Sequence, residues 1–263
     1  MNSEVEKQLS PEARAAREKQ FFDVEYRKYE TLDLSINPRM LAKYSQPSDM
    51  SDWLQKSAVL SGSFTGRKLL EYGCGLGEEA TYFAVLGADV CAIDVSETAI
   101  TLATKRARHN GVAAQIRFLQ VNGERLDFPD NYFDLVHGLG ILHHVTLTAL
   151  PEVHRVLKPG GRAVFLEHMG GSRHLVPALQ RMFGSASKDV ASEDEKPLDY
   201  NDVYQAGKTF AKCEVYPYHL LFRLRRLLPA RLHGPLRKMD YYLLRLCPVL
   251  KRYAGGAIIV LIK

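Results

Sequence analysis

The chain has 263 residues, 46% apolar and 25% charged, with a net charge of +5 and a pI near 8.9. That composition fits a soluble globular protein of one large domain, or a domain with a cap, and no basic block is long enough to argue for nucleic acid. The polar first twenty residues are not expected to act as a signal peptide, and the longest clean apolar run, 257–262, is far too short to span a bilayer.

Four cysteines, Cys74, Cys91, Cys213 and Cys247, lie far apart and form no C-x-x-C. The pattern points to reduced thiols and a cytoplasmic location rather than to disulfides or zinc.

Residues 4–30 are predicted to be helical. Ser10-Pro11-Glu12 supplies a cap and a proline in the first turn. Phe22, Tyr26 and Tyr29 follow at helical spacing and share a face. That face is either a lid over a ligand or an aromatic staple to the core. Residues 31–49 read as loop with a short helix, and 50–60 as a further helix. We therefore expect 1–60 to form an N-terminal helical lid.

From 66 to 167 strand and helix patterns alternate. Strands are predicted at 68–71, 89–93, 115–120, 133–138 and 162–167, and helices at 79–86, 97–110 and 147–157. Such alternation implies a parallel sheet wound on both faces, with ligands bound outside the carboxyl ends of its strands. The core is expected to span 61–168.

The residues at those strand ends carry the chemistry. The first strand runs into Glu71-Tyr72-Gly73-Cys74-Gly75-Leu76-Gly77, followed by a helix. Glycines let the backbone approach a ligand, and the helix start offers N–H groups to a phosphate or a carboxylate. A dinucleotide fingerprint would need glycine at Glu78, and a P-loop would need Gly-Lys-Ser/Thr. The second strand ends in Ile93-Asp94-Val95-Ser96. Asp94 is placed to accept from a ribose diol, or to cap the next helix, a role that Ser96 fills equally well.

Further along come Val121-Asn122-Gly123-Glu124, then Gly138-Leu139-Gly140-Ile141-Leu142-His143-His144, then Arg155-Val156-Leu157-Lys158-Pro159-Gly160-Gly161. The last of these reads as a turn into the fifth strand. These five motifs, in this order, resemble those of the class I S-adenosylmethionine (SAM) methyltransferases, in particular small-molecule members of the type 11 kind. The resemblance covers roughly residues 66–168.

The resemblance implies a Rossmann-like fold. Its sheet would be mostly parallel and seven-stranded, with helices on both faces, N-terminal helices and an inserted cap. It implies SAM as cofactor, with Glu71, Gly73, Gly75 and Gly77 around the methionine end and Asp94 and Val95 at the ribose. Asn122, Gly123 and Glu124 would meet the adenine, and Gly138 would close on the cofactor. Asn122 stands where the family usually carries Asp; an amide can still accept from the adenine amino group.

Residues 169–212, with Gly170-Gly171, Pro177 and a polar stretch at 185–196, are read as the cap. Residues 213–263 return to the sheet, with strands at 213–216 and 256–262. Between them lie basic amphipathic stretches at 222–229 and 236–246. They are either a surface that meets a membrane or lipid-like acceptor, or ordinary helices on the sheet with arginines reaching outward. The usual preference of such helices for their own core favours the second.

Methyl transfer from a sulfonium is an in-line displacement that needs alignment and, for a hydroxyl or acidic carbon, a base. His143 and His144 are the candidate bases, and Glu167 is placed to orient one of them. Tyr26 and Tyr200 are candidates for the acceptor pocket. No metal is expected, because adjacent histidines lack the spacing of a metal pair. The reading is a SAM-dependent methyltransferase of small-molecule or lipid-like acceptors, with O-, N- or C-methylation left open. The alternative is a SAM-binding protein that does not methylate, for example one that catalyses a cyclisation. A nicotinamide oxidoreductase is disfavoured by Glu78 and by the turn at 158–161.

Overall fold

The computed structural model describes residues 11–145, 147–170 and 198–263. Seven strands form one sheet: β1 Lys68–Tyr72, β2 Asp89–Asp94, β3 Ile116–Gln120, β4 Phe133–Leu139, β5 Leu157–His168, β6 Lys212–Tyr218 and β7 Gly256–Ile262. Their order is β3-β2-β1-β4-β5-β7-β6. The first five are parallel, and β7 runs antiparallel between β5 and β6. This is the expected Rossmann-like sheet.

Side-chain alternation along each strand feeds two cores. Leu69, Val90, Leu135, Val164 and Val260 pack on one face with Tyr44, Phe64 and Phe83. Leu70, Cys91, Val136, Phe165 and Ile259 pack on the other with Leu142, Leu150 and Val153.

The helices are α1 Pro11–Arg27, α2 Pro38–Ser45, α3 Trp53–Ser61, α4 Glu78–Val85, α5 Glu97–His109, α6 Leu142–Val145, α7 Leu150–Val156, α8 Tyr200–Ala206 and α9 His233–Leu246. Side chains of Asn37, Asp52, Ser96 and Asp199 accept from the first-turn N–H groups of α2, α3, α5 and α8. Within the first sixty residues, α2 and α3 bury Tyr44, Leu54 and Ala58 in the main core. Instead α1 lies over the carboxyl edge of the sheet.

The predicted turn at 158–161 is a correction. Lys158-Pro159-Gly160-Gly161 stays within the longest strand, as an irregularity: Phe133 pairs with Leu157, and Leu135 with Arg162. The excursion is tied to the chain end, since Gly160 N donates to Lys263 O at 2.9 Å and Lys263 N to Gly161 O at 3.0 Å. Ser10, the expected cap of the first helix, and most of the expected cap region, including Gly171, Pro177 and 185–196, lie outside the described residues. Its described ends are joined by a bridge between Met169 and Leu198.

α9 turns Leu236, Asp240 and Leu244 inward. Asp240 accepts from Leu221 N at 2.6 Å and Phe222 N at 2.9 Å. Arg237 reaches Asp49 at 2.6 Å and Asp52 at 3.0 Å. One face of this basic helix therefore packs as an ordinary core helix does. No helix among the described residues is long and apolar enough to cross a membrane.

Candidate active site

A cleft opens at the carboxyl ends of β1, β2, β3 and β4. Its walls are Gly73, Asp94, Val95, Asn122, Gly123, Glu124, Ile141 and His144, and its roof is Arg14, Glu18, Phe22 and Tyr26 of α1. It encloses about 780 Å³, part of it continuous with solvent, a size suited to a small organic ligand.

The glycine loop is shaped by its neighbours. Gly75 has φ +48°, and a Cβ there would sit 3.1 Å from the Tyr26 hydroxyl. Its N–H donates to Asp94 Oδ2 at 2.8 Å. Gly77 has φ +73° at the start of α4, and a Cβ there would meet Ala103 Cβ at 2.7 Å and Cα at 2.9 Å. It is a packing glycine for α4 on α5, the role that the last glycine plays in a dinucleotide fingerprint. Glu78, which breaks that fingerprint, pairs with Arg106 at 3.5 Å, and Arg106 Nε holds Leu76 O at 2.9 Å.

Asp94 is buried, and its second oxygen accepts from Ser96 N at 2.9 Å. Burial pushes its carboxyl up, while the backbone N–H groups of Ser96, Gly75 and Val95 pull the other way. Ser96 is the cap of α5, accepting from Ala99 N at 3.1 Å, which leaves Asp94 to the cleft. Three backbone N–H donors leave the carboxylate acceptor capacity to spare. Asn122 Oδ1 accepts from Glu124 N at 3.1 Å, and the Tyr72 hydroxyl donates to Gly123 O.

α1 is fastened over this cleft at both ends. Arg14 pairs with Glu124 at 2.9 Å. Asp23 accepts from Ser96 Oγ at 2.6 Å, Thr98 N at 3.2 Å and Lys19 Nζ at 2.6 Å. Partial burial opposes the charge of Asp23, but these bonds outweigh it and hold the carboxyl down to about 2. Between the two ends, Phe22 meets His144 edge to face at 5.3 Å, and Glu18 Oε2 lies 3.2 Å from His144 Nδ1. Arg14, Glu18, Phe22 and Tyr26 recur every four residues. The aromatic half of this stripe was legible in the sequence. The charged half was missed, although the same spacing continued backwards reaches it.

His143 and Glu167 form a buried pair next to the cleft. His143 Nδ1 is 2.8 Å from Glu167 Oε2, while Glu167 Oε1 accepts from Ile141 N at 2.9 Å and Leu142 N at 2.8 Å. The ring of His144 lies 4.2 Å from that of His143.

A family model described as "Methyltransferase domain" matches residues 70–165. A Vibrio campbellii protein named ubiquinone/menaquinone biosynthesis C-methyltransferase UbiE is 30% identical over 157 residues, covering 56% of this chain and 60% of that relative. The chain thus spans less than two thirds of the curated relative it matches. Two solved structures share the fold. Haemonchus contortus phosphoethanolamine N-methyltransferase 2 has TM-score 0.59 and 17% identity, covering 98% of this chain and 60% of that one. The [4+2]-cyclase SpnF has TM-score 0.54 and 20% identity, covering 92% and 95%.

The fold brings Gly73, Asp94, Val95, Asn122, Gly123, Glu124, Tyr26 and His144 to one cleft, with Gly75 bracing its loop. Tyr26, expected at an acceptor, lines the cleft above the glycine loop. Glu71 lies off the cleft, buried against His137 Nδ1 at 3.0 Å; burial pushes its carboxyl up and His137 opposes this. Gly138 is a packing position, where a Cβ would meet Ile141 at 2.7 Å and Phe165 at 2.8 Å. Tyr200, at the start of α8, packs on the second core, and its hydroxyl is buried with no hydrogen-bond partner among the described residues.

Proposed function

We propose that the protein is a SAM-dependent methyltransferase acting on a small-molecule or lipid-like acceptor, with His143, oriented by Glu167, as general base. The observation that carries the reading is the convergence of the glycine loop, Asp94 and the Asn122–Glu124 turn on one roofed cleft in a methyltransferase domain. These residues fit SAM: a glycine loop for its methionine end, a strand-end carboxylate for its ribose, and an amide beside Gly123 for its adenine edge.

When bound, SAM supplies an activated methyl group for in-line displacement. The chain's own residues do the rest. Asp94 and the loop hold the cofactor, and Phe22 and Tyr26 of α1 cover it and exclude water. Glu167 faces Nδ1 of His143, a position that assigns the proton to that nitrogen and makes Nε2 the acceptor. His143 then takes the proton of a hydroxyl or an acidic carbon. His144, beside it, joins the cleft to α1 through Glu18.

The UbiE relative is named as a C-methyltransferase of quinone biosynthesis. That supports a lipid-like acceptor and carbon as the methylated atom. We infer a cytoplasmic location, which the four free thiols support.

The test is incubation with methyl-labelled SAM and a panel of prenylated hydroquinones and phenols. Labelled product and S-adenosylhomocysteine should accumulate together. SAM binding without transfer to any acceptor in the panel or in a lipid extract would instead favour the non-methylating reading.

A further inference from the structure

Between β6 and β7 the chain makes a long excursion, from 219 to 255. It carries seven arginines and two lysines against one acidic residue, Asp240, which faces inward. With Asp240 counted, the segment is net +8 against +5 for the whole chain, so the remainder of the protein is net −3. The positive excess is therefore concentrated in this one segment.

The same segment exposes apolar side chains. Met239, Tyr242 and Leu246 are 47%, 59% and 77% exposed, and Leu232 and Val249 beside them are 41% and 68% exposed. Met239, Tyr242 and Leu246 follow helical spacing and form an exposed stripe beside the buried Leu236, Asp240 and Leu244 of α9. Exposed Lys238 and Arg245 flank that stripe, with exposed Lys251 and Arg252 just beyond it. The inner face is pinned by Arg237 to Asp49 and Asp52, so the outer face is held in a fixed presentation.

Its place in the fold is informative. Tyr218 and His168 both pair with Gly256, so β6 ends, β7 begins and β5 ends at one level. The excursion therefore leaves the sheet at its carboxyl edge, the edge that carries the cleft.

We propose that this face docks on an anionic membrane surface. Apolar side chains ringed by cations match a bilayer interface, where the side chains enter the headgroup layer and the cations meet acidic lipids. Acidic lipid headgroups complement the positive excess of this segment. The docked face would lie along the same edge as the cleft, so a lipid-like acceptor could reach it without crossing water. The docking itself does not depend on methyl transfer.

The test is co-sedimentation of the full chain with vesicles of phosphatidylcholine alone, or of equal parts phosphatidylcholine and phosphatidylglycerol. Neither SAM nor acceptor is present, so the result is independent of catalysis. Binding should be confined to the anionic vesicles and weaken with salt. The pair Lys238→Glu and Arg245→Glu should reduce partitioning roughly tenfold or more. The pair Tyr242→Ser and Leu246→Ser should do likewise by removing apolar contact. All four positions are solvent-facing, and an unchanged Tm checks that the variants are folded. No sedimentation with either vesicle would overturn the proposal, as would equal binding to neutral vesicles or binding that both variant pairs retain. So would a concentration-dependent dimer abolished by Leu246→Ser, which would assign the face to a second copy of the chain.

Discussion

Glu167 serves two partners at once: one oxygen caps the backbone of Ile141 and Leu142, and the other fixes the ring of His143 at 2.8 Å. The buried strand end of β5 thus shapes the turn after β4 and orients the candidate base in the same act. The two tasks separate by substitution.

Glu167→Gln keeps an oxygen for Ile141 and Leu142 but turns an amide N–H towards His143 Nδ1. The ring must then carry its proton on Nε2, which removes the basic lone pair from that nitrogen. Turnover should fall about a hundredfold or more, as in His143→Ala, with SAM affinity nearly unchanged. Glu167→Ala should in addition lower stability, by about 1–3 kcal/mol for each N–H left without a partner. Near-full kcat in Glu167→Gln would reduce Glu167 to a structural cap. His144→Ala should act differently, since its ring joins the cleft to α1 through Glu18, and should raise the SAM dissociation constant more than it lowers kcat.

Asp94 gives the second prediction. It holds Gly75 N at 2.8 Å and Ser96 N at 2.9 Å, and it lines the cleft. Asp94→Ala should weaken SAM and S-adenosylhomocysteine alike by about 2 kcal/mol or more, roughly thirtyfold. Calorimetry with both ligands checks this. Equal affinity in variant and parent would leave Asp94 as a loop brace alone.

Much of this site was legible in the sequence because it resides in local pattern. Alternating strands and helices located the cleft edge, and the residues ending each strand were read directly. What escaped was whatever depends on tertiary packing. Glu71 sits in the motif, yet strand alternation turns it into the core against His137. Gly77 and Gly138 occupy motif positions whose space is taken by Ala103 and Phe165. Arg14 and Glu18 acquire their role only because the fold lays α1 over Glu124 and His144. The outer face of α9 combines cations with exposed apolar residues, and only burial separates that face from the inner one.

The roof yields the third prediction. Asp23 binds Ser96 and Thr98 at the start of α5, so it anchors α1 by a helix-cap bond from outside the helix. Its carboxyl is held down to about 2, so this anchoring is present above the ordinary carboxylate range and is lost as pH falls through about 2. Asp23→Ala should cost about 1 kcal/mol, and should loosen α1 rather than the sheet. Hydrogen exchange within α1 should quicken and SAM should bind more weakly. Unchanged exchange there would mean that Arg14 and the aromatic residues hold the roof without it.

The last prediction concerns pH and the buried side of the glycine loop. Glu79, in the first turn of α4, is half-buried beside Glu71 and 3.5 Å from the Tyr44 hydroxyl. Burial, and then the nearby Glu71, raise its carboxyl to about 7, with His137 opposing. The folded protein therefore binds a proton that the unfolded chain releases near the ordinary glutamate value of 4.5. The sign follows: this stabilisation is complete below that value, declines as pH rises through about 7, and is absent above it. Its size is at most about 3 kcal/mol. Thermal unfolding of the parent should give a Tm that falls between roughly pH 4.5 and 7. In Glu79→Gln, which stays neutral throughout, the Tm should be flatter across that window and higher than the parent's at its alkaline end. A parent and a variant with parallel Tm profiles would show that Glu79 is ionised in the folded protein across the whole range.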